Sequence, residues 1–194
     1  MTQARDLANL VGSSVPALTR KYYDKVDVST SNKAEFTNIP STAKRIVIDF
    51  VDIGTDIGND PGTLAGLVSV GGSYITTGYD GMGGYSNDSS ANSNEERTSE
   101  NSTVGDNIRS FYWNADDNRR TDGRFSIDLI DSATYLYKLE LIGFHIINGD
   151  ATATRATIYS SAFIDLSGPI DKVKLELDGA GAIDHGSATA YYEI

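Results

Sequence analysis

Apolar residues that alternate at period two constrain this chain most. From Lys44 to Ile53 the sequence reads KRIVIDFVDI, which puts Ile46, Ile48 and Phe50 on one side of an extended backbone. Residues 124–130 repeat the pattern, with Phe125, Ile127 and Leu129 turned inward. Shorter runs rich in β-branched and aromatic residues fall at 34–39, 66–72, 73–79, 108–113, 137–146, 154–164, 172–177 and 187–194. Turn residues separate them. Pro40 ends its strand because it cannot donate to a ladder. The pairs Gly71-Gly72 and Gly168-Pro169 turn the chain tightly. In Asp184-His185-Gly186 the carboxylate can cap a turn and the glycine can take a positive φ. A parallel sheet would need helical crossovers between these runs, and the sequence supplies none. The pattern predicts an all-β chain, an antiparallel β-sandwich of jelly-roll-like form.

Residues 21–194 are expected to form that one domain, since 194 residues suffice to bury a core without cross-links. Residues 1–20 read differently. Leu7, Leu10 and Val11 recur at i, i+3 and i+4 before Gly12, which suits two or three helical turns, marginal alone in water. Two readings stand for this segment: a frayed terminus, or a helical or extended anchor ordered by a partner. Residues 80–107 form a polar insertion with few aliphatic side chains, read as a long loop that is either solvated or ligand-contacting.

The formal net charge is −11. A surface this acidic disfavours nucleic acid and anionic lipid, and suits neutral or cationic ligands. No apolar run is long enough for a membrane-spanning helix, and no secretory signal is legible at the N-terminus. Without cysteine there is no thiolate nucleophile, Cys-ligated zinc or iron–sulfur cluster. The histidines, His145 and His185, sit in a strand pattern and a turn, away from any nucleophile elbow or metal-binding pair. The adjacent carboxylates Asp116-Asp117 and Glu95-Glu96 lie in hydrophilic loops and read as solvated. Asp49, Asp52, Asp56 and Asp60 crowd together without the spacing of a calcium loop. The chain is therefore expected to be non-enzymatic, with no cofactor and no metal. Sugar binding is the chemistry its aromatics suit, because a pyranose face stacks on a ring. Candidates are Tyr74, Tyr79, Tyr85 and Trp113, which flank the polar loops. Tyr79 and Tyr85, beside glycines, are expected to be exposed; core packing is the competing reading for Trp113.

Three blocks, in order, resemble the C-terminal domains of bacteriophage tail-fibre proteins. They are AEFTNIPSTAKRI at 34–46, GGSYITTGY at 71–79, and LSGPIDKVKL at 166–175 followed by IDHGS at 183–187 and the terminal YYE. Ile183 stands where the family usually has phenylalanine, and the 80–107 insertion has a sequence of its own. The ARDLANL at 4–10 is also similar to segments near fibre boundaries. The resemblance implies a virion structural protein, a tail fibre or fibre-tip receptor-binding module that forms a homotrimer and attaches to host-surface polysaccharide. Because the stretch before residue 34 is too short for a fibre shaft, it also admits a capsid decoration protein or tail adaptor. There, residues 1–20 would dock on another virion protein.

Overall fold

The computed structural model describes residues 19–29, 33–55, 61–87, 97–99, 108–109, 113–114, 119–147, 155–178 and 183–194. The segment carrying Leu7, Leu10 and Val11, expected to be an anchor, lies outside them. The described residues are all-β. The strands are β1 (Arg20–Tyr22), β2 (Val26–Asp27), β3 (Lys33–Thr37), β4 (Arg45–Thr55), β5 (Pro61–Val70), β6 (Ser73–Tyr74), β7 (Asp80–Asn87) and β8 (Arg97–Ser99). They continue as β9 (Ile108–Arg109), β10 (Trp113–Asn114), β11 (Arg119–Asp131), β12 (Leu136–Ile147), β13 (Arg155–Asp165), β14 (Lys172–Asp178) and β15 (Ile183–Glu193).

They form two sheets, and every pairing is antiparallel. The larger runs β1-β15-β4-β11-β12-β13-β7-β8, with β2 also on β15. The smaller runs β10-β5-β14-β3, with β6 and β9 also on β5. The chain crosses repeatedly between sheets, which brings their inner faces onto one core in a sandwich-like arrangement. Ile46, Ile48, Phe50, Phe125, Ile127 and Leu141 enter it from the larger sheet, and Phe36, Leu64, Val68, Val173 and Leu175 from the smaller. The alternation in β4 and β11 thus lands on the expected face, with Leu129 half-buried against the same core. Where the sheets meet, Gly66 of β5 lies under the Phe125 ring. A Cβ there would stand 2.7 Å from Phe125 Cζ, so only glycine lets the ring settle.

Three expectations need correction. The polar stretch 80–107 is not one long loop: 80–87 form β7, paired with Ala156 to Phe163 of β13, and 97–99 form β8 beside it. Gly81 reads as a loop residue by composition, yet it is there for space. A Cβ on Gly81 would run into the Ser161 carbonyl oxygen and Ala162 of the neighbouring strand. Second, the strand that the alternation places at 124–130 already begins at Arg119, with Thr121 buried and Asp122 exposed. Third, the strand returning through 73–79 pairs only at Ser73 and Tyr74. Beyond it the chain turns, through Gly78 at φ 89°, to drive Tyr79 into the core.

Buried tyrosines make the fold sensitive to alkali. Burial pushes Tyr79 and Tyr23 each up to about 12 from the usual 10.0, and raises Tyr137 as well. The native state keeps these protons where the unfolded chain gives them up. Their contribution is therefore complete below about pH 10 and is lost as pH rises through 12. Tyrosinate absorbance followed together with circular dichroism should show a set of tyrosines ionising only as the sheet signal collapses. Ionisation of every tyrosine near its ordinary value, with the fold intact, would contradict this.

Candidate functional site

At its far end β4 stops being regular, and the irregularity builds a cleft. The β4–β15 ladder slips between Ile183 and His185 and again between His185 and Ser187, while β4–β11 slips between Thr121 and Gly123. Asp52 sits at φ 59° and Gly186 opposite it at φ 105°. Both lie in the left-handed region, which glycine adopts freely and aspartate tolerates. Bulges of this kind re-aim side chains, and strained backbone concentrates at functional sites. The strain is held from several sides. The Asp52 N–H donates to Asp122 Oδ1 at 2.7 Å, Arg120 Nε stands 3.3 Å from Asp52 Oδ1, and the Gly186 carbonyl accepts from the Val28 N–H at 3.1 Å.

Beside the bulge, Asp27, Ser187 and Val51 form a row across β2, β15 and β4. With Lys25, Asp52 and His185 they line an open cleft of about 500 Å³. Asp27 is pre-set, since its Oδ1 accepts from the Ser29 hydroxyl at 2.7 Å and the Ser29 N–H at 3.0 Å. These two bonds hold its carboxyl below the usual range. The cleft therefore offers two carboxylates as acceptors, an ammonium and a hydroxyl as donors, an imidazole, and the exposed methyls of Val51. Such a set suits a ligand with many hydroxyls and small apolar faces, neutral or carrying an amine.

The residues expected to stack sugars are placed elsewhere. Tyr79 is 2% exposed, which corrects the expectation of an exposed ring: its hydroxyl donates to the Ile75 carbonyl at 3.0 Å and its ring fills the core. Tyr74 is half-buried on the smaller sheet, its hydroxyl donating to Glu35 at 2.8 Å and its ring 4.3 Å from the Lys174 ammonium. That ring is already occupied by a cation. The backbones of Tyr85 and Trp113 pair with Ile158 and Gly62; their side chains lie outside the described residues, as do the pairs Asp116-Asp117 and Glu95-Glu96 and the His145 side chain. Asp49 and Asp52 do not converge on one point: Arg124 engages Asp49 at 2.6 Å and Arg120 engages Asp52. Asp56 and Asp60 are outside the described residues.

Sequence reasoning missed Lys25, Asp27 and Val51, and weighed Asp52 only as a calcium ligand. The one signal for this place was the Asp184-His185-Gly186 turn with its positive-φ glycine. Nothing local marks Asp52, whose conformation follows from a register slip between strands far apart in sequence. No protein-family model matches the chain, and no curated protein matches it either.

Proposed function

We propose that this chain is a structural protein of a bacteriophage virion, a tail-fibre or fibre-tip module that binds host-surface glycan. The cleft carries the binding half of the reading. It is a polar, hydroxyl-complementary depression built by strained backbone and held open at the surface of the larger sheet. The order of the blocks at 34–46, 71–79 and 166–193 supports the phage half. On this reading the two sheets are a jelly-roll-like sandwich, the chain acts without catalysis, and three copies assemble on the virion. The acidic surface suits a neutral or amine-bearing polysaccharide, because an anionic one would be repelled.

Glycan-array and host-envelope binding by the purified chain test the proposal. Wild type is expected to bind. Asp27→Ala and Asp52→Ala should each weaken binding at least about tenfold, the effect of one lost charge-assisted hydrogen bond. Failure to bind any host envelope fraction would refute the receptor-binding role, and release of reducing sugar would refute the non-catalytic one.

A further inference from the structure

Resting on the reading of the cleft as a glycan site, we infer that the site runs on from the cleft along β15 to an aromatic platform at Tyr22 and Tyr191. Its ligand is then an extended oligosaccharide, not a single terminal sugar. Pairing puts both places on the outer side of the larger sheet. Ser187, Thr189 and Tyr191 alternate outward along β15, and opposite them on β4 stand Val51, Asp49 and Val47. On the other flank Asp27 of β2 faces Ser187, and Tyr22 of β1 faces Tyr191. The β15–β4 register is unbroken from Ser187 to Glu193. Extended chain from Ser187 to Tyr191 covers about 14 Å, longer than one sugar ring.

The chemistry along this strip matches a chain of sugars. At the cleft end Asp27 offers a carboxylate and Ser187 a hydroxyl. In the middle Thr189 is exposed beside Asp49, which Arg124 Nε holds at 2.6 Å. At the far end Tyr22 is 70% exposed, its ring 5.5 Å from that of Tyr191 and tilted 47° to it. Arg20 lies 4.7 Å over the Tyr191 ring, fixed by the Glu193 carboxylate at 2.7 Å from its Nε. A guanidinium has five N–H donors, so others remain beside the exposed ring. A pyranose face can stack on Tyr22 while its hydroxyls meet Arg20.

Size and charge select the ligand. The strip is three strands wide, a footprint of roughly 150 Å². One side of a stable protein interface takes about 800 Å². The ion pairs Arg20–Glu193 and Arg124–Asp49 are compensated in place, and the net charge of −11 repels a polyanion. A neutral or amine-bearing saccharide chain fits both limits.

Glucose and glucosamine oligomers, each series graded from monosaccharide to hexasaccharide, test this by binding to the full chain. Affinity is expected to rise at least about tenfold with length and then level off once the strip is filled. Tyr22→Ala should cost the long oligomers about tenfold and leave the monosaccharide unchanged. Its circular dichroism should match wild type, because the ring lies at the surface. Thr189→Arg, which lays a long side chain across the middle of the strip, should act in the same way, whereas Asp27→Ala should weaken every length. Affinity independent of length, or long-oligomer binding indifferent to both Tyr22→Ala and Thr189→Arg, overturns the extended track and leaves the cleft standing. Asp27→Ala without effect at any length overturns the cleft, and the track with it. Binding to no oligomer overturns the track, and the cleft falls too only if host-envelope fractions also fail to bind. Binding to an envelope protein that no saccharide competes with overturns both.

Discussion

Replacing Phe125 by alanine is expected to lower the unfolding free energy by about 3–5 kcal/mol, the cost of emptying a fully buried aromatic site. Phe125 is completely buried in β11, flanked by Ile48 of β4 and Leu141 of β12, and its ring touches the smaller sheet at Gly66. It therefore joins the two layers at a point where the opposing backbone offers no side chain to relax into the cavity. Denaturant unfolding measures the loss. A second experiment isolates the contact. Gly66→Ala should cost about 1–3 kcal/mol by overpacking against the ring, and much less in a Phe125→Leu background. Additive costs in that double-mutant cycle would mean the two sheets do not meet there as described.

Gly186→Ala is the second large effect. Alanine at φ 105° is strained wherever it sits. Its Cβ would also stand 2.6 Å from the Asp52 carbonyl oxygen and 2.8 Å from Ile53 N, both backbone atoms. Neither can swing aside as a side-chain tip would, so the ladder between β15 and β4 must shift. A cost of about 3 kcal/mol or more is expected. Glycan binding should fall with it, even where the protein remains folded, because Asp52 and His185 move with the bulge. A change within about 0.5 kcal/mol, the range of an ordinary surface substitution, would show that the bulge is not held as tightly as its contacts indicate.

Much of this architecture was legible in the sequence, and the reason is period two. Ile46, Ile48, Phe50, Phe125 and Ile127 announce strand, face and core together, because a half-buried strand has no other way to satisfy its two sides. The same rule fails for β7. Gly81 and Gly83 carry no side chain to register as inward or outward, so a strand packed tightly on β13 looks like a linker. It fails again at Tyr79, where neighbouring glycines suggested exposure although the ring turns back into the core. Outward-facing Val47 is a subtler case. It is fully buried, beneath a cover that includes Tyr191, whose ring carries Arg20 at 4.7 Å; Arg20 in turn bonds Glu193 at 2.7 Å. The site was the least legible part. Asp27, Asp52 and His185 come together through pairings between distant strands, and no local pattern encodes a register slip.

The position of β15 sets a timetable for the nascent chain. Arg45 pairs with Glu193 and Val47 with Tyr191, so β4 sits between β11 and a strand translated far later. At ribosomal speeds of about 5–20 residues per second, β4 waits on the order of ten seconds with one ladder edge bare. During that interval its Ile46, Ile48 and Phe50 row is a ready template for another chain. The charges that alternate with the row, Arg45 and Asp49, guard the bare edge until the last strand arrives to close it.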